Sequence, residues 1–508
     1  MRIGSIIIVF SIVTITGCQS AQTGKNEHTA HPNIIIVLAD DLGYGDVGAF
    51  NPESKIPTPA LDSIARTGMV FTDAHSSSSV CTPTRYSLLT GRYNWRSTLK
   101  SGVLWGNSPA LIPKDRMTLA SLLKQSGYHT AFIGKWHLGW EWAKDESGEI
   151  DFSKPIQNGP NSLGFDYAYG HIASLDIPPY VYVENDQPTA VPTEKTANKD
   201  YQGFWREGLT APDFVHEEVT PNLFHRSIQY IQEQAGKPTP FFLYLALPSP
   251  HTPILPTEDW QGQSSLNPYG DFVMMIDHYM GQLDATLQAS GISENTLLIF
   301  TSDNGCSPRA QLEELAKKGH HPSHIYRGHK ADIYEGGHRV PFIAKWPTGI
   351  PADSRTSQTI CLTDLMATAA DLTGQVLPDD AGEDSYSLLS LFQREADYER
   401  TATVHHSIEG EFAIRQGDWK LALCPGSGGW SAPSPFDEDT DTLPPFQLYN
   451  LAEDPGEQHN LIDRHPETAD SLRNLLVQYI EQGRSTPGPP QSNESNSPWK
   501  QLDWMNND

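Results

Sequence analysis

The sequence predicts an α/β protein: a doubly wound sheet followed by a smaller α+β module. Three observations carry this. Continuous apolar runs recur, and each ends at once in charged or hydrogen-bonding residues. Amphipathic helical stretches lie between these runs. From near Thr401 the pattern changes to short strand-like pieces and one helix.

The first run, Asn33 to Leu38, leads into Asp40 and Asp41. A second, Thr130 to Gly134, leads into Lys135, Trp136 and His137. A third, Phe241 to Leu247, leads into Ser249, Pro250 and His251. A fourth, Leu297 to Thr301, leads into Asp303 and Asn304. Uninterrupted apolar runs are what strands buried on both faces require. Pro59 to Thr67, Thr118 to Ser126 and Thr220 to Glu233 have helical spacing, and strand–helix alternation gives a doubly wound sheet. Such sheets gather ligands beyond the carboxyl ends of their strands, so the four polar run-ends should converge in one crevice. In the second module, strands are expected over Thr401 to His406, Glu411 to Arg415, Trp419 to Leu423 and Gln447 to Asn450. A helix is expected over Pro466 to Gly483, with Leu472, Leu475, Leu476 and Tyr479 on one stripe. The expected organisation is 1–17 targeting segment, 18–31 tether, 32–400 main α/β domain, 401–484 α+β subdomain and 485–508 tail. In the tail, Trp499 and Trp504 suggest docking on the body.

The 508 residues exceed what one core usually serves. With 35 basic and 62 acidic residues the net charge is -27, which argues against nucleic-acid binding. An anionic substrate then needs a small cationic pocket within an acidic shell. Arg2 followed by the apolar stretch Ile3 to Ile15 reads as a targeting segment too short to span a bilayer comfortably. It ends in Ile15-Thr16-Gly17-Cys18, which resembles a bacterial lipobox and predicts lipid attachment at Cys18. The protein would then sit in the bacterial periplasm or on the cell surface, membrane-attached through that anchor alone; plain secretion is the alternative. Cys306, Cys361 and Cys424 are too few and too scattered for a disulfide framework and read as small buried residues.

Asp40, Asp41, Asp303 and Asn304 supply hard oxygen ligands that suit Ca²⁺ or Mg²⁺. Either pair alone would be a turn or cap motif; both together, each after a buried strand, favour a metal. Cys81 precedes Thr82-Pro83-Thr84-Arg85, and proline is favoured early in helices, so Cys81 is expected at a helix N-terminus where free N–H groups stabilise negative charge. Arg85, one turn on, would point back toward Cys81 and the metal.

Cys-x-Pro-x-Arg followed by Leu88-Leu89-Thr90-Gly91-Arg92 resembles the maturation signature of the type I sulfatases. Gly134-Lys135-Trp136-His137-Leu138-Gly139, Pro250-His251-Thr252-Pro253, and Arg327-Gly328-His329-Lys330 with Tyr334-Glu335-Gly336-Gly337-His338-Arg339-Val340-Pro341 resemble further motifs of that family, in family order, from about Pro32 to about Leu461. The resemblance implies an alkaline-phosphatase-like mixed, mostly parallel sheet with a C-terminal four-stranded antiparallel sheet and helix. It implies that Cys81 is converted to formylglycine (3-oxoalanine) by a formylglycine-generating maturation enzyme. It implies Ca²⁺ held by Asp40, Asp41, Asp303, Asn304 and an oxygen of modified Cys81. In the implied sulfuric ester hydrolase mechanism the hydrated aldehyde attacks sulfur, and Arg85 stabilises that hydrate. Lys135 and Lys330 bind sulfate oxygens, and His251 with Lys330 protonates the leaving oxygen. His137 deprotonates the second hydroxyl to expel sulfate.

Thr98 to Trp105 and Ala173 to Tyr180 look most similar to bacterial enzymes that remove 6-O-sulfate from galactose-type sugars. The expected substrate is a sulfated oligo- or polysaccharide attacked at chain ends. Trp105, His171, Asp176 and Trp205 are the expected sugar-subsite residues, although core packing is the ordinary role of a tryptophan. The alternatives are a phosphoester or phosphonate hydrolase of the same superfamily, and a catalytically silent glycan-binding lipoprotein.

Overall fold

The computed structural model describes residues 31–395, 398–494 and 499–506. The targeting segment, the lipobox cysteine Cys18 and the tether up to residue 30 lie outside the described residues. Among the described residues no helix is long and apolar enough to cross a membrane.

The four apolar runs form the middle of a ten-stranded mixed sheet. Its parallel centre is, in spatial order, Thr296–Ser302, Asn33–Asp40, Phe241–Pro250, His129–Lys135 and Tyr167–His171. Phe342–Lys345 and Met69–Phe71 add antiparallel neighbours beside Thr296–Ser302, and Ser354–Thr356 closes that edge. A short hairpin, Val183–Glu184 and Gln187–Pro188, closes the other. Every residue from Ile35 to Asp40 is buried. Successive strand side chains point to opposite faces, so both faces of the sheet are covered. The covering helices include Pro59–Arg66, Val219–Ala235 and Pro268–Ala289, and Cys81–Thr90, Leu119–Gln125 and Leu365–Thr373.

The first strand lies between one that follows it late in the chain, Thr296–Ser302, and the long strand Phe241–Pro250. Chain order reverses there, and a crevice opens beyond the carboxyl ends. Neighbouring strands approach closely at Gly134. Its φ is +131°, and a Cβ there would lie 1.8 Å from the Ala246 carbonyl oxygen, so only glycine fits. Cys81–Thr90 is buried along its whole length. It ends at Gly91 (φ +63°), whose Cβ would meet that of Met366 at 2.6 Å. Arg92 is buried too, with Glu383 at 3.0 Å from its Nε and Glu494 at 2.6 Å from Nη1. The Leu-Thr-Gly-Arg stretch therefore fixes the helix that carries Cys81.

The second module is a four-stranded antiparallel sheet in sequence order: Thr403–His406, Phe412–Gln416, Trp419–Ala422 and Gln447–Asn450. Helix Pro466–Gln482 lays Leu472, Leu476, Tyr479 and Ile480 against Phe412, Ile414, Leu421 and Leu448, with Leu475 only partly buried at the margin. Trp499 packs against Trp95 and Phe412. A buried ionic network joins the sheets: Arg415 grips Asp73 with two nitrogens at 2.8 Å, and Lys420 lies 3.2 Å from Glu335 and 2.9 Å from Glu457. Glu335 and Arg339, both in the Tyr-Glu-Gly-Gly block, belong to this network, 2.9 Å apart. That block is largely an architectural clamp.

Candidate active site

All four polar run-ends meet at the crevice. Asp40 is the last residue of its strand, and Asp41 takes the left-handed conformation (φ 66°), which aspartate tolerates, turning the chain back over the strand end. The neighbouring run continues the pairing: the Asp303 amide donates to the Ala39 carbonyl at 3.0 Å. The Asp41 amide donates to Asp303 Oδ1 at 3.2 Å, and Asn304 Nδ2 donates to Asp41 Oδ1 at 2.6 Å. One carboxylate oxygen each from Asp40, Asp41 and Asp303 lies within 4.8 Å of the others. Asp40 Oδ1 and Asn304 Oδ1 are buried without a hydrogen-bond partner, a costly arrangement unless a cation takes them. Burial and the charge of Asp40 push Asp303 up to about 7. A buried cluster of hard oxygens with two unpartnered acceptors fits a Ca²⁺- or Mg²⁺-type ion.

Three cations face the acids. Arg85 is fully buried and donates to Asp303 Oδ2 and to the carbonyls of Lys135 (2.7 Å) and Leu247 (3.3 Å). Lys135 Nζ bonds Asp40 Oδ2. Lys330 Nζ lies 2.8 and 2.9 Å from the two Asp41 oxygens. The Lys330 segment is fixed by its own amide on the Cys306 carbonyl and by the Ala331 amide on the Ser79 carbonyl, two residues before Cys81.

Cys81 is the first residue of its helix and is buried. Burial raises its thiol above the ordinary range, opposed by Lys135 and Lys330. As a thiol it would be protonated at neutral pH and a weak nucleophile.

His137 also has positive φ (56°), and its Nε2 lies 2.9 Å from the Leu104 carbonyl. A carbonyl only accepts, so Nε2 carries the hydrogen and Nδ1 keeps a lone pair; Nδ1 is buried and unpartnered. Burial first, then Lys135 and Arg85, holds His137 well below its usual value and therefore neutral. His251 donates from Nδ1 to the Thr252 carbonyl and holds Nε2 3.7 Å from Asp41 Oδ2. It is lowered by burial and by Lys330, and its side chain is the slightly open one, 12% exposed.

The sugar-subsite residues are placed differently. Trp105 is half exposed at the rim, one residue beyond Leu104. Asp176 accepts from Arg206 Nη1 at 2.5 Å. His171 ends the strand beside Lys135, is buried, donates Nδ1–H to the Ala173 carbonyl at 2.7 Å, and is lowered by burial to about 3. Trp205 gives one ring face to His216, 4.2 Å between centres, and its indole N–H to Thr196 Oγ1. Asp332, which no sequence motif singles out, receives the amides of Trp430 and Ser431 at 2.8 and 3.0 Å and so brings a loop of the second module beside Lys330. Its position two residues after Lys330 was the available signal.

A fold of this topology with these acids, lysines, histidines and a helix-borne cysteine defines a hydrolase site for an anionic ester. The Sulfatase family model matches residues 32–375. An N-acetylgalactosamine-6-O-sulfatase of Bacteroides thetaiotaomicron is 32% identical, covering 92% of this chain and 96% of that protein. Human arylsulfatase A is 32% identical, covering 93% and 92%. A solved Bacteroides thetaiotaomicron 6S-sulfatase from its metabolism of multiple glycosaminoglycans superposes with a TM-score of 0.77 at 31% identity, covering 88% of this chain and 99% of that one. The chain belongs to the sulfatase family. It is a sulfuric ester hydrolase.

Proposed function

We propose that this sulfatase removes sulfate from sulfated carbohydrates, acting at chain ends on 6-O-sulfated galactose-type sugars, with Cys81 converted to formylglycine and Ca²⁺ held by Asp40, Asp41, Asp303 and Asn304. The observation that carries the reaction is the convergence of Cys81 with a neutral histidine base, two lysines and the acid cluster in one buried crevice. The sugar class is supported by the relatives named for N-acetylgalactosamine-6-sulfate, which match over nearly the whole of both chains.

When present, the hydrated aldehyde supplies an oxygen nucleophile for sulfur, and the cation supplies charge that neutralises sulfate oxygens. The chain does the rest. The N-terminus of helix Cys81–Thr90 and Arg85 stabilise negative charge at position 81. Lys135 and Lys330 exchange part of their pairing with Asp40 and Asp41 for sulfate oxygens. His251 Nε2 faces the open side and gives a proton to the leaving sugar oxygen; the ester's own negative charge offsets the burial that lowers this histidine. His137 Nδ1 takes a proton at the inner side, its tautomer held by Leu104.

The mature chain is further proposed to be lipid-anchored at Cys18 and to depend on a formylglycine-generating partner for activity; the sequence pattern supports both.

The test is sulfate release from 2-, 3-, 4- and 6-sulfated galactose, N-acetylgalactosamine and glucosamine, wild type beside Cys81→Ala, after mass spectrometry confirms the aldehyde. Release from 6-sulfated galactose-type sugars, absent in the variant, is expected. Release from another regioisomer alone overturns the sugar assignment. Full activity with an unmodified thiol overturns the nucleophile.

A further inference from the structure

A row of five side chains crosses the rim of this site, alternating aromatic rings with guanidinium groups. Arg206 lies 5.2 Å from the centre of the Trp105 ring and 5.5 Å from that of Phe204. Arg309 follows, 5.3 Å from Phe204 and 4.7 Å from Tyr201.

Both ends are tied to the catalytic centre. Trp105 follows Leu104, whose amide donates to Thr82 Oγ1 at 3.2 Å and whose carbonyl holds His137. Arg309 lies on the loop that begins with Asp303 and Asn304. Beside Tyr201, the Gln202 carbonyl accepts from the Ile254 amide at 2.8 Å, three residues past His251. The row thus runs from the His137 side of the crevice to the His251 side, where the leaving sugar must emerge.

Both ends of the row are open to solvent, Trp105 at 50% and Tyr201 at 54% exposure, and the three side chains between them are partly exposed. Its two cations differ in kind. Arg206 is neutralised by Asp176 at 2.5 Å. Arg309 pairs with no carboxylate among the described residues; its Nη1 donates only to the Tyr201 carbonyl, at 3.1 Å. In a chain of net charge -27, a guanidinium with no carboxylate partner among the described residues, held near two rings and by the Tyr201 carbonyl, is a fork available to a carboxylate or a sulfate.

We propose that this row is a subsite for the sugar adjoining the one that loses its sulfate. Arg309 takes a second anionic group, a carboxylate or sulfate, and the faces of Trp105 and Tyr201 bear on the sugar rings. The preferred substrate is then the end of a polyanionic chain rather than a lone sulfated sugar. This rests on the sulfated-carbohydrate reading above.

The experiment uses three disaccharides that share the 6-sulfated sugar and differ in the neighbour: neutral, uronate-bearing or sulfated. Arg309→Ala should lower the ratio of kcat/KM on an acidic disaccharide to that on the neutral one by about 10- to 100-fold, chiefly through KM. Arg309→Lys should restore part of it. Loss with the uronate but not the sulfated neighbour names carboxylate as the anion, and the reverse names sulfate. An unchanged ratio for both overturns the proposal. If wild type hydrolyses an aryl sulfate but none of these sugars, the sugar reading fails separately. Calorimetric binding of the same disaccharides to Cys81→Ala then decides the subsite: about tenfold weaker acidic binding on adding Arg309→Ala upholds it, and equal binding overturns it.

Discussion

Asp303 Oδ2 accepts from both Nε and Nη2 of Arg85, at 3.1 and 2.9 Å, with both side chains fully buried. The pair ties the helix that carries Cys81 to the strand end that carries the acids, so it sets the distance between Cys81 and the acid cluster. Breaking a buried pair leaves an uncompensated charge and costs about 3–5 kcal/mol. We expect Arg85→Ala to lower unfolding free energy by that amount and to abolish sulfate release. Arg85→Lys should be milder in stability yet still inactive, because an ammonium cannot reproduce the fork. Denaturant titration beside a turnover assay checks this; an unchanged midpoint for the alanine variant would contradict it.

Asp40, Asp41 and Asp303 face one another with two neighbouring oxygens unpartnered. Removing a bound cation should therefore lower melting temperature and activity together, and Ca²⁺ should restore both. Asp40→Asn should weaken the response of melting temperature to added Ca²⁺ by at least about tenfold in concentration. A melting curve indifferent to exhaustive chelation would reject the site.

His137 is held neutral by burial and by two adjacent cations. A base works while unprotonated, so a depressed value extends its working range downward: kcat should keep its plateau well below pH 6.5, where an ordinary histidine would already be protonated. His137→Asn should reduce kcat by about 10²- to 10⁴-fold with little change in KM. A break in log kcat near pH 6.5 that vanishes in the variant would show that burial does not set this group.

Much of this was legible in the sequence because its signals are local. The four apolar runs are long enough to reveal buried strands, and the residues ending them follow within a few positions. Cys81 and Arg85 sit one helical turn apart. What was not legible depends on tertiary approach. Met69–Phe71 and Phe342–Lys345 are too short for any periodicity and are strands because they complete ladders with each other, with Thr296–Ser302 and with Ser354–Thr356. Nothing local announces that His216, farther along the chain, stacks on one face of Trp205. Arg206 and Arg309 are single arginines more than a hundred positions apart, and no pattern announces that both approach the ring of Phe204.

The two sheets share buried charge: Arg415 from the second module grips Asp73 from the first, and Arg339 adds a contact at 2.9 Å. Burial of this network across the junction predicts that the modules unfold together. Asp73→Asn should destabilise by about 3–5 kcal/mol, since it takes from buried Arg415 its two-pronged carboxylate partner and leaves Arg415 and Arg339 to share Glu335, and should do so without splitting the transition. Differential scanning calorimetry distinguishes this from two separate melts, in which only one would move.

Asp277, on the helix Pro268–Ala289, accepts the Ala60 and Leu61 amides at 3.1 and 2.8 Å and so caps helix Pro59–Arg66. Burial pushes its carboxyl up to about 6 from 3.8, against the opposing pull of those amides. The unfolded chain releases this proton near pH 3.8 while the folded one holds it to about 6. The group's contribution is therefore complete below the lower value and is lost as pH rises through the higher. At 1.36 kcal/mol per unit, the loss is about 2–3 kcal/mol. Other carboxylates titrate over the same range, so the quantity to read is the difference in unfolding free energy between wild type and Asp277→Asn. It should move against wild type by that amount from about pH 4 to about pH 7 and then stay level. A difference that does not change with pH would mean that the helix-end amides, and not burial, govern this carboxyl.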